Sequence, residues 1–457
     1  MRHPEQPQST EVFPPSLAPL EATFWQAFTF WLKLGFISFG GPAGQISIMH
    51  QELVERRRWI SERRFLHALN YCMVLPGPEA QQLATYIGWL MHRTWGGVVA
   101  GALFVLPSLA MLIGLSWVYV AWGDLPVVAG LFDGIKPAVT AIVLQAAHRI
   151  GSRALKNNVL WGIAAASFVA IFALNVPFPA IVLAAAVVGH VGGRWSPATF
   201  RTGGGHGGAD KSYGPAVMDD HTPTPEHARF RLTRLMAVVG AGVLLWVVPM
   251  GVLVALWGWD HTLTQMGWFF TKAALLTFGG AYAVLPYVHQ GAVEHFGWLS
   301  APQMMDGLAL GETTPGPLIM VVAFVGFVGG YLKAFFGLEA LFLAGAVAAC
   351  LVTWFTFLPS FVFILAGGPL VESTHGSVTF TAPLTAITAA VVGVILNLAL
   401  FFGYHLLWPQ GWGGGFSAVS ALIAVGAAVA LFRYKHNVMH VIAVCAVVGL
   451  MVRLLAG

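Results

Sequence analysis

Apolar runs of about 20 residues recur from residue 24 onward, separated by short polar stretches or by glycine and proline. As helices rising about 1.5 Å per residue, such runs can cross a hydrocarbon layer of roughly 30 Å. The pattern predicts spans near 24–41, 65–91, 96–122, 129–148, 158–174, 178–193, 234–257, 264–283, 304–331, 336–366, 382–407, 416–433 and 437–456, about thirteen in all. The period-2 alternation of a membrane barrel is absent, so the expected fold is all-α. The long hydrophilic stretch 194–234 is rich in Gly and His early and in Pro, Asp and Arg later, and it reads as a flexible linker.

The two sides of that linker match. Lys33, Gly40 and Gly41 correspond to Lys272, Gly279 and Gly280, Trp59 to Trp298, and Pro76-Gly77-Pro78 to Pro315-Gly316-Pro317, all at an offset of 239. Leu106-Pro107-Ser108 then pairs with Leu358-Pro359-Ser360, and Pro137-Ala138-Val139 with Ala389-Ala390-Val391, at an offset of 252. The expected organisation is a disordered cytoplasmic tail (1–23), an N-terminal repeat (24–195), a hydrophilic linker (196–233), a linker transmembrane helix (234–258) and a C-terminal repeat (259–457). With six spans in each half and one between, equivalent helices cross in opposite directions, the inverted repeat of secondary transporters. The Lys and Arg distribution favours a cytoplasmic N-terminus. The run Arg56, Arg57, Arg58, Arg63 and Arg64 departs from it unless residues 24–64 form a re-entrant or interfacial hairpin.

Composition agrees with the bilayer as solvent: 9% of the 457 residues are charged and 57% are hydrophobic, against roughly 25% charged in a soluble domain. The first twenty residues carry five prolines and lack the basic start and apolar stretch of a signal peptide. Cys72, Cys350 and Cys445 are scattered through apolar segments with no disulfide, zinc or redox spacing. No histidine pair has ligand spacing. Gly207 to Ser212 superficially resembles a phosphate loop but lacks the Gly-Lys pair and a preceding strand. The reading is therefore of a protein that is not an enzyme and has no cofactor and no nucleic-acid partner.

The chemistry is concentrated where apolar segments are interrupted. Ser38-Phe39-Gly40-Gly41-Pro42, Leu75-Pro76-Gly77-Pro78-Glu79 and Thr313-Thr314-Pro315-Gly316-Pro317 break helices inside hydrocarbon. Backbone groups freed there cost several kcal/mol each unless they are buried in protein or line a polar cavity. Each resumed helix presents amides with partial positive charge, so four such ends make a preformed anion site near the midplane, with Gln81 beside the first. The competing reading is a proline kink inherited by both halves. Lys33 and Lys272, two turns before their Gly-Gly breaks, are either partners of a bound dianion or side chains snorkelling to an interface. Glu79 and Glu312 either take up a proton during the cycle or, for Glu79, cap a helix N-terminus. Arg56, Arg57 and Arg58 form either an anion vestibule or a headgroup-facing amphipathic helix. Gly97 to Gly101, Gly189 to Gly193 and Gly326 to Gly330 give small-xxx-small patterns expected to pack helices closely.

Phe36-x-x-Phe39-Gly40-Gly41-Pro42, Trp59 and Leu75-Pro76-Gly77-Pro78 with Gln81, repeated as Phe278-Gly279-Gly280, Trp298 and Pro315-Gly316-Pro317, resemble the chromate ion transporter family in its long, two-repeat form. The resemblance covers roughly 24–195 and 234–456. It implies a multi-pass protein of a bacterial inner membrane that exports chromate and confers resistance, in contact with lipid and with a homodimer among the assemblies left open. Ala281 stands where the first half has Pro42, and Thr314 where it has Leu75, so the second site has diverged. Sulfate is also a tetrahedral dianion and remains an alternative substrate. An anion channel is the rival within transport. A chromate reductase would need haem ligation, an iron-sulfur cysteine set or a dinucleotide fingerprint, none of which is evident.

Overall fold

The computed structural model describes residues 21–39, 41–200, 213–278, 280–374 and 381–456. Gly40 and Gly279, residues 1–20 of the expected tail and the phosphate-loop-like segment lie outside them. Among the described residues the secondary structure is helical, with one isolated bridge between Ile60 and Met218. The first half comprises α1 (Phe24–Ile37), α2 (Gly41–His50), α3 (Glu62–Val74), α4 (Glu79–Trp122), α5 (Pro126–Ala154), α6 (Asn158–Leu174), α7 (Phe178–Trp195) and the single turn α8 (Pro197–Phe200). The connecting helix is α9 (Leu232–Trp257). The second half comprises α10 (Thr262–Leu275), α11 (Ala281–His289), α12 (Ala301–Thr313), α13 (Val321–Lys333), α14 (Leu341–Thr374), α15 (Thr381–Leu407), α16 (Ala418–Phe432) and α17 (Val438–Ala456). Seven of these helices are long and apolar enough to cross a membrane, as expected of a polytopic membrane protein.

The offset of 239 persists in the backbone. A π-helical turn, Gln51–Arg56, continues α2, and its equivalent, Gln290–His295, continues α11. Each wider turn brings a histidine to a glutamate five residues on: His50 Nδ1 is 3.2 Å from Glu55, and His289 Nδ1 is 3.3 Å from Glu294. Helix starts follow local chemistry. Thr23 with Gln26 and Ser300 with Gln303 form capping boxes, while Ser61 and Asn157 cap α3 and α6.

The expected spans 24–41 and 65–91 are not single crossings. α1 has 14 residues, about 21 Å of helix, short of a roughly 30 Å core. After the break, α2 and its π turn run back beside it, so that Trp59 meets Phe30 at 5.4 Å between ring centroids. α3 and the start of α4 form a second hairpin. The 44 residues of α4 reverse direction at His92 (φ −131°, ψ 34°) and Arg93 (φ 57°, ψ −160°). A Cβ on Gly88 would lie 2.5 Å from both the Gly96 carbonyl oxygen and Ala100 Cβ, which places the arms 79–91 and 94–122 side by side and antiparallel. The second half repeats this design, because the expected spans 264–283 and 304–331 resolve into α10 with α11 and α12 with α13.

The long helices complete one another across the halves. α4 packs on α14, α5 on α16 and α17, and α15 on α6 and α7. Small residues permit close approach both across and within the halves, as the glycine patterns predict: Gly189 and Gly193 meet α15 at Ala382, and Gly326 and Gly330 of α13 meet α14 at Ala348 and Ala344. The tightest approach is between α5 and α17, where a Cβ on Gly134 would lie 1.9 Å from the Cys445 carbonyl oxygen.

The described part of the linker is docked, which corrects the expectation of a flexible connection. The Val217 and Met218 amides donate to the carbonyls of Arg58 and Trp59 at 2.9 and 3.0 Å, and the Ser61 amide donates to Met218 at 3.0 Å. Ser61 Oγ bonds Asp220 at 2.6 Å, and Arg64 donates to the Thr222 carbonyl. Met218 and Ala228 are buried in the core of the first-half hairpins. A hydrophilic segment is held here by backbone pairing and two apolar anchors. The arginine run consequently shares a face with the linker, the hairpin alternative named above.

Two outcomes follow from this packing. Gly134→Val sets a side chain against backbone that cannot yield, and overpacking of about 1–3 kcal/mol or more should lower the melting temperature in detergent; Gly162→Val, at a glycine with no neighbouring atom within 4 Å, should leave it unchanged. The His227 ring is 2.9 Å from the Trp89 carbonyl, and burial holds its pKa below the ordinary value, with Arg93 and Arg234 acting in the same sense against that bond. The folded form then binds fewer protons than the free linker, so docking weakens as pH falls through about 6.5. Hydrogen-exchange protection at Val217 and Met218 should drop between about pH 7.5 and 5.5, and His227→Gln should remove that dependence.

Candidate functional site

The four helix breaks pair across the halves in the interior, each proline-glycine-proline loop held by the break of the opposite half. The Gly77 amide donates to the Thr277 carbonyl at 2.8 Å, and the Gly316 amide donates to the Ser38 carbonyl at 2.9 Å. The pairs are related by the repeat, since 77 and 316, like 38 and 277, differ by 239. Ser38 and Thr277 are fully buried, and their hydroxyls turn back to the Leu34 and Ala273 carbonyls at 2.6 and 2.7 Å. The inward-pointing carbonyls are thereby left for the loops.

Gly77 and Gly316 adopt φ of 125° and 105°, in the region that favours glycine. A side chain is excluded a second time by contact: a Cβ on Gly77 would lie 2.4 Å from Ser360 Oγ, and one on Gly316 would lie 2.7 Å from Ser108 Cβ. Those serines close the two Leu-Pro-Ser blocks. The first half adds a layer of glutamines. Gln82 Nε2 donates to the Pro76 carbonyl at 2.7 Å, Gln81 Nε2 to Thr85 Oγ1 at 3.0 Å, and Gln45 Nε2 to the Gly316 carbonyl at 2.5 Å. The Oε1 atoms of Gln45, Gln81 and Gln82 and Ser108 Oγ are buried without a hydrogen-bond partner. Buried polar atoms of this kind are costly, and a half-turn of an amide exchanges the acceptor for an Nε2 donor.

Of the residues singled out in the sequence, Pro76, Gly77, Pro78, Gln81, Thr314, Pro315, Gly316 and Pro317 are in this cluster. Gly41, Pro42 and Gly280 start the helices that resume after the other breaks. Thr313 and Thr314 bond back to the Leu310 and Gly311 carbonyls and finish α12. Glu312 accepts a hydrogen bond from Tyr282 Oη, whereas Glu79, at the first residue of α4, has no side-chain hydrogen bond among the described residues.

Lys33 and Lys272 do not join the cluster. Lys33 is exposed on the face of α1 that carries Trp25, Phe36 and Ile37, and Lys272 on the face of α10 that carries Trp268 and Leu275. Lys272 Nζ lies 5.6 Å from the Trp268 ring. Two helical turns do place a lysine in line with its break, but on the side turned away from the partner helices. Of Arg56, Arg57 and Arg58, the first two have their guanidinium groups engaged. Arg56 and Arg57 share Glu52 at 2.6 and 3.5 Å, Arg57 stacks 5.0 Å from both Phe30 and Trp59, and Arg58 gives its carbonyl to the linker.

Residues that sequence reasoning left out of the site are Ser38, Thr277, Gln45, Gln82, Ser108 and Ser360. The signal for the two serines was present as a polar position repeated inside apolar helices. A second polar group lies apart: Lys136 Nζ is 3.5 Å from the buried Asp306, whose other oxygen accepts from Tyr119 Oη at 2.9 Å. Among the described residues there is no group of three His, Cys, Asp or Glu placed to hold a metal ion.

A sequence model described as chromate transporter matches residues 25–190 and 264–450, one stretch in each repeat. A chromate transport protein of Pseudomonas aeruginosa is 34% identical over 85% of this chain and 82% of its own length. A chromate transport protein of Cupriavidus metallidurans is 28% identical over 88% and 87%, and a probable chromate transport protein of Synechococcus elongatus is 27% identical over 84% and 85%. No solved structure matches the chain. With both repeats matched and a relative 34% identical over most of both chains, the chain belongs to the chromate transporter family.

Proposed function

We propose that this protein is a secondary transporter that exports chromate across a bacterial inner membrane and so confers resistance, binding the oxyanion where the four breaks meet. The observation that carries the proposal is the reciprocal pairing of Gly77 with Thr277 and of Gly316 with Ser38. It ties the two halves together at one level while leaving the first amides of the resumed helices unbonded within their helices, and such amides favour an anion. The buried glutamines and Ser108 supply further donors. Tetrahedral dianions, chromate or sulfate, suit such a set of neutral donors.

In this arrangement the long arm of α4, α5, α6, α7, α9 and α14 to α17 cross the bilayer. The paired short helices enter and return, from the linker side in the first half and from the opposite side in the second. α9 is the odd crossing that inverts the repeats. Access then alternates by one half moving against the other around the shared cluster. Departure of a dianion from a negatively charged cytoplasm runs with the potential, by about 4.6 kcal/mol per 100 mV on the basis of about 2.3 per charge. Glu79 or Glu312 takes up a proton when the neighbouring anion arrives, which couples the two movements. The exposed positions of Lys33 and Lys272 favour the snorkelling reading of those residues.

In proteoliposomes the wild-type protein should give saturable chromate flux that accelerates when unlabelled chromate is placed on the far side, as a carrier does and a channel does not. Gly77→Ala and Gly316→Ala should insert normally yet lower flux at least about tenfold, because each forces strain of about 1–3 kcal/mol into the cluster. Flux of sulfate but not chromate would transfer the site to sulfate, and wild-type flux in both glycine variants would remove it from these loops. For coupling, Glu79→Gln or Glu312→Gln should flatten the pH dependence of flux; an unaltered profile in both would end that part of the proposal.

A further inference from the structure

An arginine-lined cavity lies well away from the helix breaks, at the outer end of the hairpin whose inner end carries Pro76-Gly77-Pro78. It has a volume of about 390 Å³ and is lined by Arg93 and Thr94 of the α4 reversal, Pro225, Glu226 and His227 of the linker, and Arg231 and Arg234 where α9 begins. Three arginines from two separate chain segments, the α4 reversal and the start of α9, line it. Arg234 donates to the His227 carbonyl, but none of the three forms an ion pair among the described residues, although Glu226 lines the same cavity. Nearby, Arg56 and Arg57 are paired with Glu52, and Arg64 donates to the linker, while Arg58, Arg63 and Arg229 form no ion pair among the described residues. What sets this cavity apart is that three such arginines line one space with a single carboxylate, Glu226.

Its level in the membrane is indicated by its neighbours. Trp95, next to Thr94, is 75% exposed, and Leu232 and Met236, which follow Arg231 on α9, are 64% and 65% exposed. An exposed tryptophan and basic side chains above a lipid-facing apolar stretch mark the headgroup region. Arginine clusters there select phosphoryl oxygens, which accept two parallel N–H bonds from one guanidinium. Arg93 is also a reversal residue, with φ of 57°, where a non-glycine residue is uncommon. Whatever binds its side chain acts on the hinge between the two arms of α4.

We propose that this cavity binds a phosphoryl group, carried by an anionic lipid headgroup or by a soluble phosphate compound, and that occupancy clamps the linker onto the α4 hinge. The ligand bridges Arg93 on one side and Arg231 and Arg234 on the other, with the His227 contact to the Trp89 carbonyl closing the linker over it. The clamp holds the outer end of the arm 79–91 and thereby restrains the loop at its inner end.

The test uses the full chain purified in detergent and depleted of lipid. Binding of phosphatidylglycerol is measured by native mass spectrometry against phosphatidylcholine, and melting temperature is followed with phosphatidylglycerol or inorganic phosphate added. Wild type should retain phosphatidylglycerol, or be stabilised by phosphate, with affinity at least about tenfold above that of Arg93→Gln/Arg231→Gln, the scale of a lost charge-assisted hydrogen bond. These two arginines are chosen because neither holds another part of the protein, whereas Arg234 does. Retention of the lipid identifies a headgroup as the source, and a response to phosphate alone identifies a soluble compound. Equal binding in wild type and the double variant overturns the proposal, as does an equal loss in Arg433→Gln, an exposed arginine outside the cavity. Displacement of the lipid by chromate at the concentrations that saturate transport also overturns it, because the cavity would then belong to the transport route.

Discussion

Everything in this structure depends on how broken helices satisfy their backbone inside a low-dielectric solvent. A helix that stops within hydrocarbon leaves carbonyls and amides whose desolvation costs several kcal/mol each. Here the amide of each proline-glycine-proline loop is taken up by a carbonyl from the opposite half, Gly77 by Thr277 and Gly316 by Ser38. Neither half can complete its own breaks. The two repeats are thus obligatory partners where their breaks pair.

That constraint accounts for the composition around it. Ser38 and Thr277 direct their hydroxyls back along their own helices, which leaves their carbonyls aimed inward. Ser108 and Ser360 supply small polar surfaces against loops that tolerate no Cβ. The halves are equal in backbone and unequal in side chains: Gln45, Gln81 and Gln82 of the first half correspond to Val284, Met320 and Val321 of the second. The duplicated backbone provides the frame, and the first half provides most of the polar lining.

Much of this was legible in the sequence, because glycine, proline and a fixed offset are local signals. The breaks, the all-helical membrane class, the duplication and the close-packed glycines could all be read directly. Direction could not. Hydropathy counts residues and is blind to whether a chain crosses or enters and returns, so two hairpins in residues 24–91 read as two crossings. The reversal at His92 and Arg93, by contrast, falls in the polar gap between the expected spans 65–91 and 96–122. Lys33 and Lys272 illustrate a related gap, since a helical period assigns a face but not what that face meets. The linker misled for a different reason: a polar composition predicts solvation, yet Met218 and backbone pairing with Arg58 to Ser61 dock it.

The contact of Gly134 with α17, where the Gly449 amide approaches it alongside the Cys445 carbonyl group, bears on how the protein is made. The two glycines are about 300 residues apart, so at roughly 5–20 residues per second α5 enters the membrane some 15–60 s before α17 exists to cover it. During that interval its glycine-lined groove faces lipid or the insertion machinery, and the same holds for the surfaces of α6 and α7 that await α15. Assembly of the first half is therefore a waiting state, and α17, far downstream in the chain, is the helix that closes it.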